Sequence, residues 1–192
     1  MQEVYKEELK IELIGGVLVT MSPRPNFNHL KTIRSIFRIF DNYLIDKDCD
    51  VYFDGADVYL SEQDRFVPDL IVVCDDSIIK DDGVYGAPDL VVEVLSPSTF
   101  NHDRGRKKDV YGKSGVKEYW IVDPKNFSIE IYLPADGRME LMATYTIFPT
   151  WMLGKMEEEG AKKPPYTFSP SLFPGLEINI EEVFEDILPD DY

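Results

Sequence analysis

Residues 88–124 read PDLVVEVLSPSTFNHDRGRKKDVYGKSGVKEYWIVDP, and this stretch decides the fold. Its first part, Pro88 to Leu95, is a near-continuous Val/Leu run after Asp89, interrupted within by one acid, Glu93. Such a run reads as a strand covered on both faces, at the centre of a sheet. Ser96, Pro97 and Ser98 end it. Asp103 then caps a helix passing through Arg106, Val110 and Tyr111 to Ser114, where Gly115 stops it. In that helix Lys107, Tyr111 and Ser114 fall at i, i+4 and i+7, so Lys107 points with Tyr111 toward the sheet. Val116 to Val122 is the next strand, Asp123-Pro124-Lys125-Asn126 a turn, and Ile129 to Leu133 a further strand.

Upstream, Val51 to Leu60 and Phe66 to Val73 read as two more strands of the same sheet. IELIGGVLVTM, residues 11–21, reads as a hairpin turning at Gly15-Gly16. Between them the period changes: Leu30, Ile33, Ile36, Phe37, Phe40 and Leu44 recur at three and four, an amphipathic helix from Asn28 to Leu44. Asn26 or Asn28 caps it, after Pro23 and Pro25. Downstream, GKMEEEGAKKPP at 154–165 reads as an exposed insertion loop, and LFPGLEINIEEVFEDI as a short strand leading into a terminal helix. No repeat or linker divides the chain, so residues 1–192 are expected to form one domain.

Composition sets the limits. A chain of 192 residues that is 44% hydrophobic and 12% aromatic carries a real core and is not disordered. Its 20 basic against 36 acidic residues, net −16, exclude a general basic coat for nucleic acid or anionic membrane. The charge is nevertheless segregated: segments 28–40 and 104–117 hold nine of the 20 basic residues against one acid, Asp109, so a polyanion would be met locally. No apolar run approaches the roughly 20 residues that span a bilayer. Cys49 and Cys74 are too few for a disulfide scaffold; with no signal-peptide pattern, they are expected to be buried free thiols in a reducing cytoplasm.

Among the acids, those within apolar strands are the informative ones, because ionisation there needs a partner. Three stand out: Asp57 in GADVYL, Asp69 in FVPDLIVV and Glu93. If the three strands pair antiparallel about Gln63 and Asp81, opposed residues have numbers summing to about 126 and about 162, which places all three carboxylates in one cross-strand row. Such a row is tolerable when it holds a cation, and oxygen-only ligation suits Mg²⁺ or Mn²⁺. The other reading leaves Asp57 solvated at a strand end, Asp69 in a turn after Pro68, and Glu93 paired with a lysine. His29 and His102 with two separated cysteines do not make a zinc site. His29 opens the first helix, where it can contact phosphate or help position water, or serve as an ordinary surface residue. GKSG at 112–115 lacks the Gly-rich lead of a P-loop, and no Gly-x-Ser-x-Gly elbow is present.

Taken together, EVLSPST followed by DRGRKKDVYGKSGVKEYWIVDP, with IELIGGVLVTMSP, His29, ADVYL, VPDLIVV and LFPGLEINIEEVF, resemble the Uma-two family of the PD-(D/E)xK nuclease superfamily. The resemblance implies an α/β fold with a restriction-endonuclease-like core, a mixed, mainly antiparallel central sheet flanked by helices. It implies a metal-dependent endonuclease acting on phosphodiester bonds of nucleic acid, DNA before RNA, with Mg²⁺ or Mn²⁺ as cofactor and a homodimer as the working form. Asp69 resembles the aspartate of the PD half-motif and Glu93 the acid of the other half. Leu95 stands where the motif lysine belongs, and Lys107 matches this family's recurrent lysine, with Lys108 the adjacent alternative. On this reading Asp69, Glu93 and Asp57 hold the metal, Lys107 orients water, and His29 and Lys108 assist. Arg104, Arg106, Lys108 and Lys113 contact backbone phosphates. The alternatives are a catalytically inactive nuclease fold that binds nucleic acid or protein, and an acidic interaction protein working through EEEG at 157–160 and the tail EDILPDDY.

Overall fold

A computed structural model describes residues 10–20, 25–53, 55–96 and 102–188. The expectations placed on Met21, Pro23, the Pro97-Ser98 strand stop and the last four residues of the acidic tail lie outside the described residues. β1 (Ile11–Ile14) and β2 (Val17–Thr20) make the hairpin, with Gly15 and Gly16 at φ 60° and 77°. Both turn positions are left-handed, which glycine adopts without penalty. α1 (Phe27–Leu44) follows, its N-cap Asn26 accepting the His29 N–H at 2.8 Å. Then come β3 (Asp50–Phe53), β4 (Val58–Ser61), β5 (Asp64–Phe66), β6 (Leu70–Val73), β7 (Ile79–Lys80), β8 (Gly83–Tyr85) and β9 (Leu90–Val94). A π-helical turn, Asp103–Lys107, leads into α2 (Lys108–Ser114), which Gly115 ends at φ 99°. β10 (Glu118–Asp123), β11 (Ser128–Ala135), β12 (Arg138–Thr146), α3 (Thr150–Glu158), β13 (Thr167–Phe168), β14 (Ile178–Asn179) and α4 (Ile180–Phe184) complete the order.

The central sheet runs β12-β11-β10-β9-β6-β3, with β9 and β10 parallel and every other neighbour antiparallel. It is the mixed, mainly antiparallel sheet that the resemblance implies. Every residue of β6, β9 and β10 is buried, because both faces are covered. α1 and the C-terminal segment lie on one face, packing Ile36, Phe40, Phe173 and Phe184 against Val92 and Trp120. The other face meets α2 and a second sheet, β2-β1-β5-β4-β8-β7, through Phe66, Tyr111, Tyr119 and Val91. Gly112 lets α2 come this close: a Cβ there would stand 2.8 Å from the backbone of Arg138 and Met139 on β12.

The second sheet corrects the simpler strand reading. Val51 to Leu60 and Phe66 to Val73 are each two strands, one per sheet. Gly55 at φ 122° breaks the first, and Pro68, which has no N–H to give a ladder, breaks the second. Several smaller expectations are corrected too. Cys49 and Cys74 are not free thiols but a disulfide: β3 and β6 pair Asp50 with Val73, and the same register sets Cys49, just before β3, opposite Cys74, just after β6, with Cα atoms 4.0 Å apart. Residues 154–158 of the expected loop are helical, the end of an exposed α3 rich in Leu, Met, Lys and Glu, and 161–165 is non-helical and mostly exposed. Asp103 does not cap its helix; it is fully buried and turned toward Lys107. No helix among the described residues is long and apolar enough to cross a membrane.

Candidate active site

β6 and β9 pair Leu70 with Val92 and Ile71 with Val91, so the ladder runs on to set Asp69 across from Glu93. This is the expected register for that pair. Asp69 follows Pro68 at the crossing between the sheets and is only 9% exposed. Its Oδ2 accepts the Val94 N–H at 2.7 Å, and its Oδ1 lies 3.1 Å from His29 Nε2. The Asn26 cap fixes the first turn of α1 and with it the buried His29 ring, whose Nδ1 has no hydrogen-bond partner.

Glu93 is 1% exposed. Its Oε1 accepts the Tyr111 hydroxyl at 2.9 Å and lies 3.2 Å from Lys107 Nζ. Lys107 is completely buried at the end of the π-helical turn, and its ammonium also meets Glu12 Oε1 at 2.9 Å and Asp103 Oδ1 at 3.2 Å. Glu12 comes from β1, and its Oε1 accepts the Val67 N–H at 2.9 Å. Tyr119 donates its hydroxyl to the Asp103 carbonyl at 3.0 Å. One ammonium thus faces three buried carboxylates, contributed by β1, β9 and the π-helical turn.

This imbalance sets the electrostatics. Burial pushes the Glu93 carboxyl well above the usual glutamate range; Lys107 works against the rise, while Asp103, Asp69 and Glu12 add to it. For Lys107 burial alone would favour the neutral amine, but Glu93, Asp103 and Glu12 outweigh it and hold the ammonium charged well above the ordinary lysine range. Burial and then the neighbouring Glu93 raise the Tyr111 and Tyr119 hydroxyls, so both remain neutral donors.

The structure therefore gathers Asp69, Glu93, Lys107 and His29, and it separates the others. Asp57 stands just before β4 of the second sheet, where Arg65 Nε lies 3.6 Å from its carboxylate. The expected row of three fails at this member, because β5 pairs with β4 and the chain changes sheet before Asp69. Lys108 sits over the Tyr132 ring, Nζ 4.9 Å from its centroid. Arg104 gives Nη1 to both oxygens of Glu130 at 2.7 Å each. Arg106 lies against the hairpin turn, so close that a Cβ on Gly15 would come within 2.1 Å of its guanidinium. Lys113 is exposed. Glu12 and Asp103 are the site residues that sequence reasoning missed. The criterion that found Glu93, an acid inside an apolar strand, applies equally to Glu12 in IELI.

Among the described residues no group of three His, Cys, Asp or Glu side chains is disposed to hold a metal ion. Lys107 Nζ already occupies the centre of the Glu12, Glu93 and Asp103 carboxylates. Asp69 lies outside that ammonium's reach and stands across the ladder from Glu93, which Lys107 already engages. The donors of these two acids are all oxygen and the local charge is in negative excess, and Mg²⁺ commonly takes only one or two carboxylates beside water and substrate phosphate.

Comparison with known proteins bears on this arrangement. A family model, Uma2, described as "Putative restriction endonuclease", matches residues 1–180. The "Uncharacterized protein slr1290" of Synechocystis sp. is 28% identical over 142 residues, covering 73% of this chain and 74% of that protein. The crystal structure of a "putative nuclease belonging to DUF820" from Anabaena variabilis superposes with a TM-score of 0.70 at 17% identity, over 93% of this chain and 91% of that one. At that identity the likeness is one of fold.

Proposed function

This chain belongs to the Uma-two family, and from that premise we propose that it is a divalent-metal-dependent endonuclease hydrolysing phosphodiester bonds of nucleic acid, DNA before RNA. One observation carries the reading: Lys107 Nζ stands 3.2 Å from Glu93 Oε1, while Leu95, at the motif's own lysine position, is buried in the core. The acid–lysine pair of a PD-(D/E)xK site is thus rebuilt with a lysine from the adjoining helix.

In this reading Asp69 and Glu93 hold Mg²⁺ or Mn²⁺, and Asp57 takes no part. Such an ion supplies polarisation of the phosphoryl oxygen and a lowered pKa for bound water. The residues do the rest. His29 and the Val94 N–H fix the two oxygens of Asp69, leaving its other lone pairs for a ligand. Tyr111 fixes Glu93 in the same way. Lys107, kept cationic by its three carboxylates, orients the attacking water and stabilises negative charge developing at phosphorus. Lys108, Arg104, Arg106 and Lys113 lie on the same helical segment for backbone phosphates, although Glu130 competes for Arg104.

Cleavage of plasmid and single-stranded DNA with Mg²⁺ or Mn²⁺ tests this. Wild type is expected to cut, and Glu93→Gln and Lys107→Ala to lose at least roughly a hundredfold in rate, as expected when transition-state stabilisation is removed. Equal activity in all three overturns it. A homodimer completes the reading, supported by edge strand β12 with Leu141 55% and Met142 70% exposed; size-exclusion chromatography with light scattering checks it. The complete burial of Lys107 among three carboxylates, away from solvent and substrate, favours a second reading, a nuclease fold that binds without cutting. Calorimetry decides: no Mn²⁺ binding alongside retained DNA binding selects it.

A further inference from the structure

Two of the three basic side chains of α1, Lys31 and Arg34, are paired at the surface of the protein. Lys31, Arg34 and Arg38 fall at i, i+3 and i+7 and share one side of the helix, spanning about 10 Å along its axis. The segment following α4 lies on them. The Asp186 carboxylate pairs with Arg34, and the Asp186 carbonyl accepts Lys31 Nζ at 2.7 Å. Beyond it, Leu188 and Asn28 bind reciprocally: Asn28 Nδ2 donates to the Leu188 carbonyl at 3.0 Å, and the Leu188 N–H to Asn28 Oδ1 at 2.8 Å. Further along α1, Arg38 and Ser35 face Glu181, Glu182, Glu185 and Asp186 across a groove of about 550 Å³.

Two features make this more than a packed helix pair. First, α4 is held in the core by Ile180, Val183 and Phe184, whereas Glu185, Asp186 and Leu188 are exposed, so residues 185–188, anchored by the half-buried Ile187, form a strap over the basic face. Second, the strap reaches the residue next to His29, whose ring touches Asp69. A carboxylate on arginine and a carbonyl on lysine are the contacts that phosphate oxygens make when a nucleic-acid backbone lies along a helix.

We infer that the Glu185–Leu188 strap imitates a nucleic-acid backbone: it occupies Lys31 and Arg34 beside the site, and a bound strand must displace it to lie along α1. The inference rests on the nucleic-acid reading above and adds a regulation to it. Loosening the strap exposes two phosphate ligands; seating it returns the protein to a surface that repels polyanions, in keeping with the net charge of −16.

The test is fluorescence anisotropy with a labelled DNA duplex, without metal, across a series of salt concentrations, on the Glu93→Gln background so that no cutting interferes. Glu185→Gln with Asp186→Asn is expected to raise affinity on the order of tenfold at low salt and to steepen the log–log salt dependence by about 2, at roughly 0.9 for each additional phosphate neutralised. Asp186→Asn alone gives a smaller gain of the same sign. Glu157→Gln with Glu158→Gln removes equal charge from the exposed α3 and leaves the slope unchanged. Adding Lys31→Ala and Arg34→Ala to the strap variant abolishes the gain. An unchanged slope in the strap variant, an equal gain in the α3 control, or no duplex binding by any form overturns the inference. The nuclease reading stands or falls separately, on metal-dependent cleavage by the wild type.

Discussion

Glu12 and Lys107 come from distant parts of the sequence and meet at 2.9 Å in the interior of the fold. The contact joins the first hairpin to the turn that opens α2, and it shows why Lys107 tolerates complete burial: the lysine is charged because three carboxylates surround it. Removing the cation leaves those carboxylates uncompensated. Lys107→Met is therefore expected to cost about 3–5 kcal/mol, the range for breaking one side of a buried ion pair. Glu12→Gln is expected to cost less, since two carboxylates still face Lys107 and an amide oxygen can keep the Val67 N–H bond. Urea denaturation of the three proteins measures both; equal midpoints would show that the cluster is not a unit.

Glu93 gives a pH prediction of opposite character. Folding raises its pKa, so the folded chain binds this proton more tightly than the unfolded one, and the stability contributed is present below the ordinary glutamate value and lost as pH rises from there toward the raised value. Glu93→Gln has no such loss. Thermal midpoints of wild type and variant are expected to lie close together near pH 4, about the unfolded value, and the variant to gain over wild type as pH rises toward neutrality. A pH-independent gap refutes it.

Gly112 predicts a steric effect. A methyl group there meets the backbone of Arg138 and Met139 at 2.8 Å, and backbone cannot rotate aside. Gly112→Ala gains helix propensity but is expected to lose about 1–3 kcal/mol net by overpacking. It also lifts Tyr111 from Glu93, so cleavage should fall with stability, as parallel denaturation and activity measurements would show.

The Cys49–Cys74 bridge closes a loop of 25 residues in sequence separation. By the chain-entropy estimate its reduction costs roughly 3 kcal/mol. Cys74 follows the far end of β6 from Asp69, so Cys49→Ala with Cys74→Ala is expected to lower the thermal midpoint and leave the cleavage rate of the folded protein unchanged. Melting with and without a dithiol reductant gives the same comparison on the wild type.

Much of this was legible in the chain. The uninterrupted apolar run around Glu93 announced a doubly covered central strand, and the pairing sum of about 162 placed Asp69 opposite Glu93, because register in a buried ladder admits no slip of one residue. The helical spacing of Lys107 and Tyr111 gave the inward face. What escaped was decided by tertiary events. Gly55 and Pro68 are weak signals that divert the chain into a second sheet, and that diversion removed Asp57 and delivered Glu12. Likewise, the basic residues of α1 look free in the sequence because Asp186, which meets them, lies more than a hundred residues away. Strand β12 was not recognised, since RMELMATYT is an edge strand with a mixed exposure pattern.

The crossing at Pro68 has one more consequence. Glu12, His29, Asp69, Glu93 and Lys107 belong to five separate stretches of chain, and they meet only once the second sheet and α2 have docked against the central one. A chain whose central sheet and α1 alone have formed therefore holds Asp69, Glu93 and His29 without Lys107 and Glu12, and the complete site is absent. On the nuclease reading, a catalyst able to damage its host's genome is in this way inert throughout its own biogenesis, with assembly of the tertiary structure itself serving as the safety catch.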